Sequence, residues 1–131
     1  MEMEIVFPGG ERVDAYYRGF VIKTDQSHGE DPGSAPQPFD LFLASIGTCS
    51  GIYVLSFCSN RGIPTDRIKL IQRVERDKQT RMIKTISIEI QLPADFPEKY
   101  KQAVIRSAGL CSVKKHLYQP PEFDIFTKTV E

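Results

Sequence analysis

The 131-residue chain reads as an α+β protein made of antiparallel strands, one long apolar helix, a second hairpin and a further helical segment. Three observations predict this. From Pro38 to Arg61 the sequence PFDLFLASIGTCSGIYVLSFCSNR carries no charge between Asp40 and Arg61, the mark of a helix enclosed on nearly every side. Farther on, Ile86, Ile88, Ile90 and Leu92 alternate with Thr85, Ser87, Glu89 and Gln91, the period of a half-buried strand. Then Tyr100, Ala103, Val104, Ser107, Ala108 and Cys111 fall on one stripe of a 3.6-residue repeat, so the pattern changes from strand to amphipathic helix.

Taken in order, Ile5 to Phe7 read as a strand ended by Pro8-Gly9-Gly10, and Val13, Ala15 and Tyr17 alternate with polar residues. Arg18-Gly19 turns the chain before Phe20, Val21 and Ile22. A meander over residues 3 to 24 is predicted. The run DQSHGEDPGSAPQP, Asp25 to Pro38, is a long loop of the kind that often serves binding, and His28 in it reads as an exposed histidine without a companion.

Pro38 and Asp40 suit the start of the long helix, and Asn60-Arg61-Gly62 suits its stop. Ala44, Gly47, Thr48 and Gly51 leave a narrow stripe where another backbone can approach. The run is long enough to span a bilayer, but Ser45, Thr48, Ser50, Ser56 and Ser59 and the lack of a flanking aromatic belt argue against insertion. Residues 68–76 and 82–92 form a hairpin around Asp77-Lys78-Gln79-Thr80. Ser112 is predicted to cap a short helix through Leu117, setting the Cys111 thiol beside a helix start with Lys114 and Lys115, which favour thiolate. After Pro120-Pro121, residues 123–130 read as a closing strand.

Composition excludes several functions. Seventeen basic and seventeen acidic side chains balance, so nothing asks for nucleic acid or an anionic membrane surface. The length fits one domain over residues 1–131. The acidic start MEMEIVF runs directly into a strand pattern and reads as neither signal nor transit peptide, which implies the cytoplasm. Three cysteines, with no C-x-x-C and only His28 and His116 as imidazoles, fit neither a secreted disulfide framework nor a structural zinc site.

The chemistry therefore rests on thiols. Cys49 lies at mid-helix and Cys111 on the buried stripe of the second helix, in elements expected to face one another across a sheet. Cys58 is nine residues beyond Cys49, about half a turn out of phase, and reads as packing. Taken alone, a buried cysteine is more often inert than reactive.

Pro38, Asp40, Leu41, Phe42, Ala44 and Cys49, then an apolar helix, a two-stranded ladder and an alanine-bearing helix ending in Cys111-Ser112-Val113-Lys114-Lys115, resemble the OsmC/Ohr family. The resemblance covers nearly the whole chain in element order. It implies an OsmC-like fold, with antiparallel sheets wrapped around two central helices in an intertwined homodimer, the active sites lying at the subunit interface. It also implies a metal-free, cofactor-free thiol peroxidase acting on organic hydroperoxides, with Cys49 peroxidatic, Cys111 resolving and an external dithiol as reductant. Family members pair an arginine from the N-terminal strands with an acid on the central helix. Arg12, after Pro8-Gly9-Gly10, is the first choice here and Arg18 the second.

Two positions depart from the family pattern. Phe39 stands where the acid directly follows the proline, with Asp40 one later, and Ser112 replaces the usual proline of the second motif. Asp40 is thus either the partner acid or a helix-start acid. A binding module for a small hydrophobic or thiol ligand, held around Phe39, Phe42, Tyr53 and Arg18, is the alternative function. Three inert core cysteines are the structural reading.

Overall fold

A computed structural model describes all 131 residues. They divide into two compact units, Met1–Ser45 and Ile46–Glu131.

The first unit holds a three-stranded antiparallel sheet in the order β1 (Glu4–Gly9), β2 (Arg12–Tyr17), β3 (Phe20–Thr24). The β2–β3 turn is Arg18-Gly19, both in the left-handed region at φ 51° and 82°, the twist that a two-residue hairpin needs. Register is continuous from Val13↔Thr24 to Tyr17↔Phe20. On the other side of β2 it shifts between Val6 and Gly9, where Pro8 has no N–H to give the ladder. The long loop is tied at its neck. Asp25 accepts from the Ser34 N–H at 2.8 Å and the Ser34 hydroxyl at 2.7 Å, and its own N–H reaches the Pro36 carbonyl. Those donors, the Ser34 N–H foremost, lower the Asp25 pKa to about 2. His28 does have a companion, bonding the Glu11 carboxylate at the surface, which corrects the sequence expectation.

The helix α1 runs Pro38–Ser59, as the sequence predicts. Asp40 Oδ2 accepts from the Gln37 N–H at 2.9 Å, so the acid satisfies a donor at the helix start. Gly62, at φ 66°, ends the turn beyond it, with the Arg61 and Ile63 N–H groups both on the Cys58 carbonyl.

The second unit contains the rest of α1 together with the antiparallel pair β4 (Lys69–Arg76) and β5 (Ile83–Gln91). A single turn of 3-10 helix (Glu98–Tyr100), α2 (Lys101–Ala108) and α3 (Ser112–Tyr118) follow. Asp77 closes the β4–β5 turn by accepting from the N–H groups of Gln79 and Thr80, each at 2.9 Å. The alternation of β5 is as expected, with Ile86, Ile88 and Ile90 covered and Thr85, Ser87, Glu89 and Gln91 in solvent. Val54, Phe57 and Cys58 of α1 pack with Phe96, Val104 and Ala108 to make the core, flanked by Leu70, Ile90 and Leu92.

Three expectations, on the cover around α1, on residues 123–130 and on Ser112, are corrected. By length and composition α1 could cross a membrane, yet a row of its residues, Ile46, Ser50, Val54, Phe57 and Cys58, is buried within the protein. The helix is not enclosed all round: Ile52 and Leu55 remain 51% and 46% exposed. Residues 123–130 form no strand, and none of their backbone groups takes part in a hydrogen bond. Finally, α2 stops at Ala108, and Cys111, with extended ψ of 125°, is the N-cap of α3 and makes no side-chain cap bond; Ser112 is its first helical residue.

Candidate functional site

The second unit brings Cys49 and Cys111 together. Cys49 is half-buried on α1, and the Cys111-Ser112-Val113 backbone at the head of α3 lies against it. The Cys49 Sγ is 3.6 Å from the Ser112 Oγ. Its pKa falls to about 7 from the ordinary 9.0. The Val113 N–H is the largest cause, followed by the Cys111 thiol; burial opposes them, and the Ser112 hydroxyl and N–H add to them. Each donor favours the thiolate because it hydrogen-bonds the charged form.

Cys111 is fully buried, and its S–H also faces the Ile46 carbonyl at 4.0 Å. Two features hold this geometry. The Ser107 hydroxyl donates to the Tyr53 carbonyl at 3.2 Å, tying α2 to α1. On α1, Gly47 admits the Gln72 side chain of β4, whose Oε1 would be 2.7 Å from any Cβ there. That glycine is part of the small-residue stripe read from the sequence; Gly51, by contrast, faces open space.

The donors that lower the Cys49 pKa are uncharged groups at the head of α3. Sequence reasoning set the helix start beside Cys111 and credited Lys114 and Lys115 with the effect. The structure turns the donors of Ser112 and Val113 toward Cys49 instead. The signal was present, since a short helix predicted directly after Cys111 offers free N–H groups, but the recipient was not legible. Cys58, fully buried, has its pKa raised by burial against a smaller opposing effect of Arg61. The packing role read from helical phase holds.

In the first unit, the Arg12 guanidinium is 3.3 Å from the carboxylate of Asp14, which is only 3% exposed. Arg18 extends over the Tyr17 ring at 5.9 Å. Phe39 and Phe42 stack with ring centroids 5.4 Å apart. A groove of about 560 Å³ opens in the second unit, lined by Ile46, Ile83, Ile86, Ile88 and Leu117, with Lys84, Lys114 and Tyr118 among them. These are not the aromatic residues the sequence suggested for a pocket. No group of three or more His, Cys, Asp or Glu side chains is arranged to hold a metal ion.

A family model described as OsmC-like protein matches residues 29–126. No curated protein matches the chain. Among solved structures, the chain is similar to a protein described as an osmotic stress induced and detoxification response protein from Psychrobacter arcticus 273-4, with TM-score 0.71 and 19% identity over 86% of this chain and 85% of that one. An OsmC-like protein from Mycoplasma pneumoniae gives TM-score 0.71 and 12% identity over 91% and 87%. The organic hydroperoxide resistance protein OhrB of Bacillus subtilis gives 0.53 and 16% over 88% and 90%. At these identities the structures establish a shared fold.

Proposed function

The chain belongs to the OsmC-like protein family, and on that premise we propose that it is a cytoplasmic thiol peroxidase reducing organic hydroperoxides, with Cys49 peroxidatic and Cys111 resolving. The observation that carries this is the Cys49 sulfur, half-buried, with a second thiol among the donors that lower its pKa to about 7.

The Cys49 thiolate attacks the terminal peroxide oxygen. The O–O bond breaks, sulfur is oxidised to the sulfenic acid, and the leaving alkoxide takes a proton to become the alcohol. The Cys111 sulfur then displaces water from that sulfenic acid to form a disulfide, which an external dithiol reduces by exchange. Arg12 and Asp40 enter the reading through family resemblance as the assisting cation and its acid. A slower turnover in a folded Arg12→Ala variant supports that part. A homodimer is the proposed active form, in keeping with the exposed Ile52 and Leu55 of α1.

The test follows peroxide loss when reduced protein meets cumene hydroperoxide and a dithiol. Turnover is expected in the wild type and background in Cys49→Ser; equal turnover in the two rejects the reading. The groove supports a second reading, a binding module for a small hydrophobic or thiol ligand, since its volume of about 560 Å³ suits one. A bound small molecule carried through purification, with no peroxide turnover, would favour it.

A further inference from the structure

Ser50 follows Cys49 on α1 and is only 1% exposed. Its hydroxyl oxygen is out of reach of solvent and makes no hydrogen bond. Such a group loses its hydration on folding and gains no bond in return, which destabilises the fold. Alanine would fill the same place in the buried row Ile46, Ser50, Val54 without that penalty. Packing alone therefore does not account for a hydroxyl here.

Its position relative to Cys111 does. Ile46 and Ser50 are four apart and share a face of α1, where the helical ladder sets the Ser50 N–H on the Ile46 carbonyl. A serine hydroxyl can also swing onto the carbonyl four residues back. A carbonyl oxygen has two lone pairs, so one place remains on Ile46. In the reduced protein the Cys111 S–H faces that oxygen, at 4.0 Å. The unpartnered hydroxyl and the buried thiol thus converge on a single acceptor.

We propose that Ser50 is a positioning residue for the resolving step, its hydroxyl taking the Ile46 carbonyl and releasing the Cys111 thiol toward the oxidised Cys49 sulfur. The inference rests on the peroxidase reading, in which Cys49 becomes a sulfenic acid and Cys111 resolves it. In that step the Cys111 sulfur attacks the Cys49 sulfur, the S–S bond forms and the S–O bond breaks. Hydroxide leaves and takes the Cys111 proton, so the product is water. A thiol whose proton is directed at the Ile46 carbonyl is held off this path. An S–H is a weak donor, and an O–H takes its place on the oxygen with a net gain. The orphaned hydroxyl finds its partner in the same movement.

In the experiment, cumene hydroperoxide meets reduced protein, dimedone captures the sulfenic acid at successive times, and mass spectrometry counts the adduct on Cys49. Cys111→Ser, which has no resolving thiol, sets the full yield. In Ser50→Ala the sulfenic acid is expected to form at the wild-type rate and to be cleared about fivefold more slowly, the size of one hydroxyl hydrogen bond. The pH midpoint of Cys49 alkylation is expected to stay in place and the thermal midpoint to be equal or higher, since the variant loses no bond of the reduced fold. Equal clearance in wild type and Ser50→Ala, with adduct present in Cys111→Ser, overturns the proposal and leaves the peroxidase reading standing. No adduct even in Cys111→Ser overturns both. A moved alkylation midpoint, or a Ser50→Ala protein that fails to fold, overturns the proposal as well, because either result assigns Ser50 to the support of the reduced structure.

Discussion

Cys49 and Cys58 lie nine residues apart on one helix, and the fold treats their sulfurs in opposite ways. Around Cys49 the head of α3 supplies an N–H, a hydroxyl and a thiol, and the pKa falls to about 7. Around Cys58 there are Val54, Phe57, Phe96 and Val104, and burial pushes the pKa up. The lesson is that depth alone does not make a thiol reactive or inert. What matters is whether donors accompany the loss of water.

Alkylation with iodoacetamide at pH 7 breaks the comparison most directly. About half of Cys49 is thiolate at that pH, against about 1% or less for a thiol whose pKa exceeds 9.0. Cys49 is therefore expected to react at least about 50-fold faster than Cys58, read by mass spectrometry of digested protein. Comparable rates would erase the distinction.

The surroundings of the two thiols also separate under mutation. Phe57→Ala removes a ring that Arg61 covers at 3.6 Å and Tyr100 meets edge-on at 5.8 Å. A loss of about 3 kcal/mol in denaturant unfolding is expected, with the pH midpoint of Cys49 alkylation unchanged in the folded protein. At Cys49, Val113→Pro takes away the largest donor within the first turn of α3, where proline is tolerated best. The alkylation midpoint is expected to rise, with helix content unchanged by circular dichroism. Ser112→Ala should move it the same way by less.

The smallest effect is in the pH dependence of stability. Folding lowers the Cys49 pKa, so between pH 7 and 9 the unfolded chain binds more protons and the folded state gains stability as pH rises; the gain is lost as pH falls through about 7. Cys58 has the opposite sign, costing stability as pH rises above 9.0. Thermal midpoints of reduced wild type minus Cys49→Ser should therefore increase from pH 7 to 9, and those of wild type minus Cys58→Ala should decline above 9.

Much of the architecture was legible because its signals are local. Uncharged residues from Leu41 to Asn60 delimit α1, the alternation around Ile88 gives β5, and the stripe ending at Ala108 gives α2. Periodicity also placed Cys58 in the core. It could not show which sulfur α3 would serve, because Ser112 and Val113 reach Cys49 at sequence separations of 63 and 64, and that approach depends on packing. The tail misled for a related reason: residues 123–130 have the composition of a strand, but a strand exists only when an edge accepts it.

The sequence by itself determined the long apolar helix, the hairpins, the presence of two candidate thiols and the dismissal of the third, since side-chain period and turn residues act over a few positions. Only the tertiary structure decided which groups lower the pKa of Cys49. Uncharged donors at the head of α3 lower the Cys49 pKa to about 7, and they were not legible beforehand because backbone N–H groups have no sequence signature of their own. They become a local electrostatic field only when packing points them at one atom.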